Sequence, residues 1–285
     1  MKEIAIEDKK RSPISWVPTL YFAMGLPFVM INMAATVMFR NLEISDAQIA
    51  FWTSLIMLPW TLKPLWSPFL EMYKTKKFFV ILTQTLTGLM FGLTALALNL
   101  PHFFAICIAI LAVIALSGAT HDIAADGVYM SALSKDDQAK YIGWQGAFYN
   151  IAKLVAQGGL VYVSGVLIKY FAGNIDGVTP FIQASSEHQA AVFAWMGILL
   201  FAGALMFAFG LYHIKFLPSE QKNENKVKPT FKETMDELVE TFIDLFRKRH
   251  IVYYICFIIL YRFAEGFVMK IVPLFLMADR ANQGL

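Results

Sequence analysis

The chain has 285 residues, 58% hydrophobic and 16% charged, with a formal net charge of +3. Soluble globular domains carry about 25% charged residues, so this composition, with a mean hydropathy of +0.55, excludes one and indicates a polytopic membrane protein. No cofactor, metal centre or nucleic-acid partner is expected. Cys107 and Cys256 both fall inside apolar runs and read as buried thiols rather than redox groups.

Residues 1–13 form a short, polar, basic tail carrying Lys2, Lys9, Lys10 and Arg11. A bilayer crossing needs about 20 apolar residues. Seven runs meet this need, at Ile14–Phe39, Ala47–Leu70, Phe78–Leu98, Phe103–Ala132, Tyr141–Tyr170, His188–Phe216 and Ile251–Met277. The first is too long for a signal-peptide core and is expected to be retained. Basic residues cluster in alternate connections: the tail, then Lys74, Lys76 and Lys77, then Lys135 and Lys140, then 215–249. The positive-inside rule therefore predicts a cytoplasmic N-terminus.

The connection after the sixth run, 217–250, starts as a polar linker. Thr230 and Glu233 then fit a capping box. Phe231, Met235, Leu238, Val239, Phe242 and Phe246 recur at helical spacing, which predicts an amphipathic helix on the membrane surface. The expected domains are thus the tail, a six-helix bundle over 14–216, the linker, and one further helix over 251–285. A lone seventh helix after a long connection is what remains of a two-bundle transporter cut early in its second bundle, so the chain reads as a fragment.

The chemistry concentrates in Ser117–Gly127, where Asp122 and Asp126 interrupt an apolar run. Four residues apart, they share one helix face, and a central Asp costs roughly 2.5–3.5 kcal/mol on insertion scales. That face is expected to look into the bundle or a wet cavity. With the fourth and fifth runs turning around Lys135–Gln138, Asp122 and Lys153 both lie roughly 20 Å above the turn at 1.5 Å per residue. An Asp122–Lys153 ion pair is one expectation, with Lys63 serving Asp126 at an inner gate. Glu265 is weighed as a coupling group or as an intrahelical partner of Arg262. Tyr21, Asn32, His121, Gln145, Tyr149 and Asn150 are candidates for contact with a polar solute, each balanced against a plain helix–helix bond. Pro27, Pro59 and Pro64 are expected to kink their helices, and Gly25, Gly143 and Gly146 to allow close packing.

The segments Leu20–Pro27, Leu58–Pro68 (LPWTLKPLWSP) and Asp122–Gly127 (DIAADG) resemble the muropeptide permease branch of the major facilitator superfamily, with the acetyl-CoA transporter branch a near relative. Tyr261–Glu265 (YRFAE) resembles the seventh-span motif. The resemblance implies an all-α fold of twelve helices in two bundles. It also implies proton-coupled import of anhydro-muropeptides across a bacterial inner membrane. In the superfamily's gate loop between spans two and three, Glu71 falls at the Asp position and Lys76 and Lys77 at the basic end, while Ser67 and Met72 depart from the pattern. Two other readings stay open: a carrier for a sugar or acetyl-CoA-like solute, and an integral-membrane transferase. The transferase lacks a metal-ligand cluster and has its charges spread over four spans.

Overall fold

The computed structural model describes residues 12–219 and 231–276. All regular structure among them is helical. Helix α1, Pro13–Asn41, starts on a proline, whose missing N–H is no loss in a first turn. Pro27 lies in its interior and removes an i→i−4 bond. The turns just beyond, Met30–Ala34, widen to π geometry.

The second apolar run, expected as one span, is a broken helix. We label the whole of 46–73 α2; it comprises Asp46–Leu55, Leu58–Leu62, a 3-10 turn at Lys63–Leu65, and Ser67–Tyr73. Pro59, Pro64 and Pro68 each sit in the first turn of a piece. Each ring denies a hydrogen bond to the preceding piece, so the helix restarts three times.

Helices α3 (Lys76–Ala97), α4 (Phe103–Ala132), α5 (Lys135–Phe171) and α6 (Glu187–Phe216) follow. Thr75, Ser134 and Ser186 cap α3, α5 and α6 by accepting a backbone N–H at 3.2 Å. The Ser134 cap starts α5 at Lys135 rather than Tyr141 and moves the α4–α5 turn to Leu133 and Ser134. A π segment, Val155–Leu160, interrupts α5 at Gly158 and Gly159. Helices α7 (Phe231–Arg247) and α8 (Ile251–Leu276) complete the described chain. Thr230 lies outside the described residues, whereas the amphipathic helix expected after it is α7.

Helix α1 is the centre of the bundle. Its most apolar window is 83% buried, against 44% or less for the other long helices. It packs on α4 and α5, α3 packs on α4 and α6, and α6 also packs on the second half of α5. The α3–α6 contact is close because both helices offer glycine. A Cβ on Gly88 would lie 2.8 Å from the Gly203 carbonyl oxygen, and one on Gly203 would lie 2.7 Å from that of Gly88. Gly25 similarly admits the Tyr149 carbonyl oxygen, at 2.7 Å from where its Cβ would be. Gly143 and Gly146, expected to act alike, have nothing within 4 Å of a Cβ, because their face of α5 borders open space.

The main core gathers Leu26, Ile31, Phe39, Phe91, Leu111 and Trp195. A second cluster, with Trp16, Leu20, Val80, Tyr129 and Leu217, closes the end that carries the basic connections. Cys107 is in the main core, but Cys256 is exposed on α8, correcting the reading of both as buried. Helix α8 leans on the second half of α1 and on Asp46–Leu55. Helix α7 rests on Ser67–Tyr73, with Phe69 and Phe231 stacked at 5.4 Å. Its Phe231, Val239 and Phe246 remain exposed.

Candidate functional site

Four helices bring polar side chains together around Asp122. Its side chain is 10% exposed, and its Oδ2 accepts from Lys63 Nζ at 2.7 Å and from Trp60 Nε1 at 3.0 Å. The breaks in α2 matter here. Trp60 and Lys63 stand on two short pieces, and both reach the same oxygen of α4. Gly118, one turn before Asp122, makes room for the indole: a Cβ there would lie 2.8 Å from Trp60 Cζ2. Asp122 Oδ1 is buried with no hydrogen-bond partner among the described residues.

This corrects the pairing expected from helix register. Lys63 serves Asp122 rather than Asp126, and Lys153 lies over the Tyr149 ring, 4.6 Å from its centroid. Register fixes height along a helix but not the direction a side chain takes. Lys153 stands seven residues beyond Gly146, two helical turns away on the same face, so it continues the side of α5 that borders the cleft described next.

Asp126 accepts from the Tyr21 hydroxyl at 2.9 Å, and Gln145 donates to the same tyrosine oxygen. These three residues, with Tyr129, Gln138 and Tyr149, line a cleft of about 640 Å³. Helices α1, α4 and α5 thus each give a polar group to one hollow at the basic end of the bundle.

Other candidates are placed elsewhere. Asn32 is buried in the π segment of α1, and Asn150 bonds the backbone of its own helix at Gly146. His121 is 2% exposed and bonds Gln84, away from the cleft, because it projects from α4 about 100° from Asp122. Lys76 lies across Gly127 of α4, where any side chain would meet its stem. Lys77 Nζ donates to the Leu217 carbonyl at 2.7 Å. The side chains of Glu71, Arg262 and Glu265 lie outside the described residues.

The sequence reading missed Trp60, Gln84 and His213. The signal for the last two was the polar side chain in an apolar helix. For Trp60 there was none, since an indole among aromatics has no distinguishing spacing.

An all-helical bundle with an ion pair on a buried carboxylate, polar groups converging on a cleft and, among the described residues, five helices long and apolar enough to cross a membrane defines an integral-membrane protein of the solute-transport kind. The Major Facilitator Superfamily model matches residues 19–282, and the chain belongs to that family of secondary transporters of small molecules. Among curated proteins, none matches it.

Proposed function

We propose that this transporter imports a peptidoglycan-derived anhydro-muropeptide, or a similar amphiphilic sugar–peptide solute, together with protons. Its place would be the bacterial inner membrane, with the N-terminus in the cytoplasm. The observation that carries the reading is the Asp122 carboxylate. One oxygen is held by Lys63 and Trp60 while the other is buried without a hydrogen-bond partner among the described residues, so a proton can be accepted on Oδ1 as Lys63 is released. A buried pair that breaks and reforms suits alternating access.

The cleft supports the solute class. Tyr21, Tyr129 and Tyr149 offer ring faces and hydroxyls, and Gln145 an amide, beside the Asp126 carboxylate; rings that pack on apolar faces and groups that bond hydroxyls or amides fit a sugar–peptide. The resemblance of LPWTLKPLWSP and DIAADG to muropeptide permeases points the same way.

The test is uptake of radiolabelled anhydro-muropeptide by cells producing the protein, with and without a pH gradient. Uptake is expected to collapse with the gradient and in Asp122→Asn. Uptake indifferent to both removes proton coupling, and gradient-driven uptake of a sugar or of acetyl-CoA in its place removes the solute assignment.

A further inference from the structure

Four side chains from four helices form one chain of hydrogen bonds, part-buried at Thr19 and buried from His213 to His121. Thr19 of α1 meets His213 Nε2 of α6 at 2.9 Å, and His213 Nδ1 meets Gln84 Oε1 of α3 at 2.8 Å. Gln84 Nε2 meets His121 Nε2 of α4 at 3.0 Å. Gln84 and His213 are 0% exposed. Gln84 donates through nitrogen to His121 Nε2 and accepts through oxygen from His213 Nδ1, so one amide joins the two rings.

One turn away on α4, Ser117 adds a second tie to α3, bonding the Thr87 hydroxyl at 2.9 Å and the Thr83 carbonyl at 3.0 Å. These ties fix the rotation of α4 about its own axis. His121 and Asp122 are adjacent and about 100° apart, so a ring anchored to Gln84 sets where the next side chain points. The tolerance is small, because Trp60 is wedged against Gly118 on that same side.

We propose that Gln84, with His121 and His213, is a positioning set that holds α4 in the rotation presenting Asp122 to Lys63 and Trp60. None of the three enters the cleft. They act through Asp122. This inference rests on the proposed importance of the Lys63–Asp122 pair to transport, but its test reads the pair itself.

Dicyclohexylcarbodiimide, an apolar reagent that modifies buried protonated carboxyls, is applied to the purified protein at one fixed pH, and Asp122 modification is quantified by peptide mass spectrometry. Lys63→Gln calibrates the unpaired limit. His121→Leu and Gln84→Leu are expected to raise modification roughly fivefold, the factor that ~1 kcal/mol of lost hydrogen bonding corresponds to. His121→Gln, whose amide oxygen reaches about where Nε2 stood, is expected to restore protection. Thermal unfolding and circular dichroism of each variant identify those that are folded. Should His121→Leu fail to fold, Gln84→Glu takes its place, since the glutamate keeps an oxygen facing His213 but no donor for His121; it is expected to be modified at Asp122 as Gln84→Leu is, and wild-type protection in Gln84→Glu overturns the proposal.

Unchanged modification in a folded leucine variant, or a His121→Gln variant modified like the leucine, overturns the proposal. Failed muropeptide uptake alongside the expected modification pattern would overturn the functional reading and leave this one standing.

Discussion

Lys63 stands beside a carboxylate that has lost nearly all contact with water, so its removal is felt more through what it leaves than through what it takes. Breaking a buried pair from one side costs about 3–5 kcal/mol, because an uncompensated charge stays behind. The 29% exposure of the lysine side chain places Lys63→Met toward the lower end of that range. The double variant Lys63→Met/Asp122→Leu is expected to unfold in detergent at a higher temperature than Lys63→Met alone, the non-additivity of two groups in contact. If the two unfold together, the pair carries no buried charge. Gly118→Val drives a methyl into Trp60, and a displaced indole cannot donate to Asp122. The expected readout is a changed tryptophan emission together with a lowered unfolding temperature.

At the scale of helices, the same residue type serves opposite ends. Gly88 and Gly203 let α3 and α6 touch backbone to backbone, so Gly203→Leu forces the pair apart and is expected to abolish folded protein in size-exclusion chromatography. Gly143→Ala and Gly146→Ala meet open space; they are expected to be neutral or to stabilise, by up to the ~0.5–1 kcal/mol that separates alanine from glycine inside a helix. Equal damage from both sets would contradict the packing. The breaks in α2 also belong here. Three prolines divide what hydropathy reads as one span, and Trp60 and Lys63, three residues apart and on the same side, still converge on one oxygen across the restart at Lys63.

For the whole molecule, the placement of the cleft makes an accessibility prediction. In a background with Cys107→Ser and Cys256→Ser, cysteine at Asp126 or Tyr149 is expected to react with a membrane-impermeant maleimide in inside-out vesicles. A cysteine at Ala119, which is 0% exposed, should not. Labelling from the opposite side only would reverse the proposed orientation. Composition and hydropathy by themselves determined that the chain lives in a membrane, how many apolar runs it has and where most of them lie, since helix length against bilayer thickness is a one-dimensional property. The interruption at Asp122 and Asp126 was legible for the same reason: a charge in an apolar run is visible in the string. Which cation answers Asp122 was not. Partner choice depends on the rotation of each helix about its axis and on the breaks in α2, quantities set by packing among helices distant in sequence. The joining of Thr19, Gln84, His121 and His213 into one chain was likewise decided only when four helices closed on each other, because a hydrogen bond needs a direction and a distance that residue spacing along a single helix does not contain.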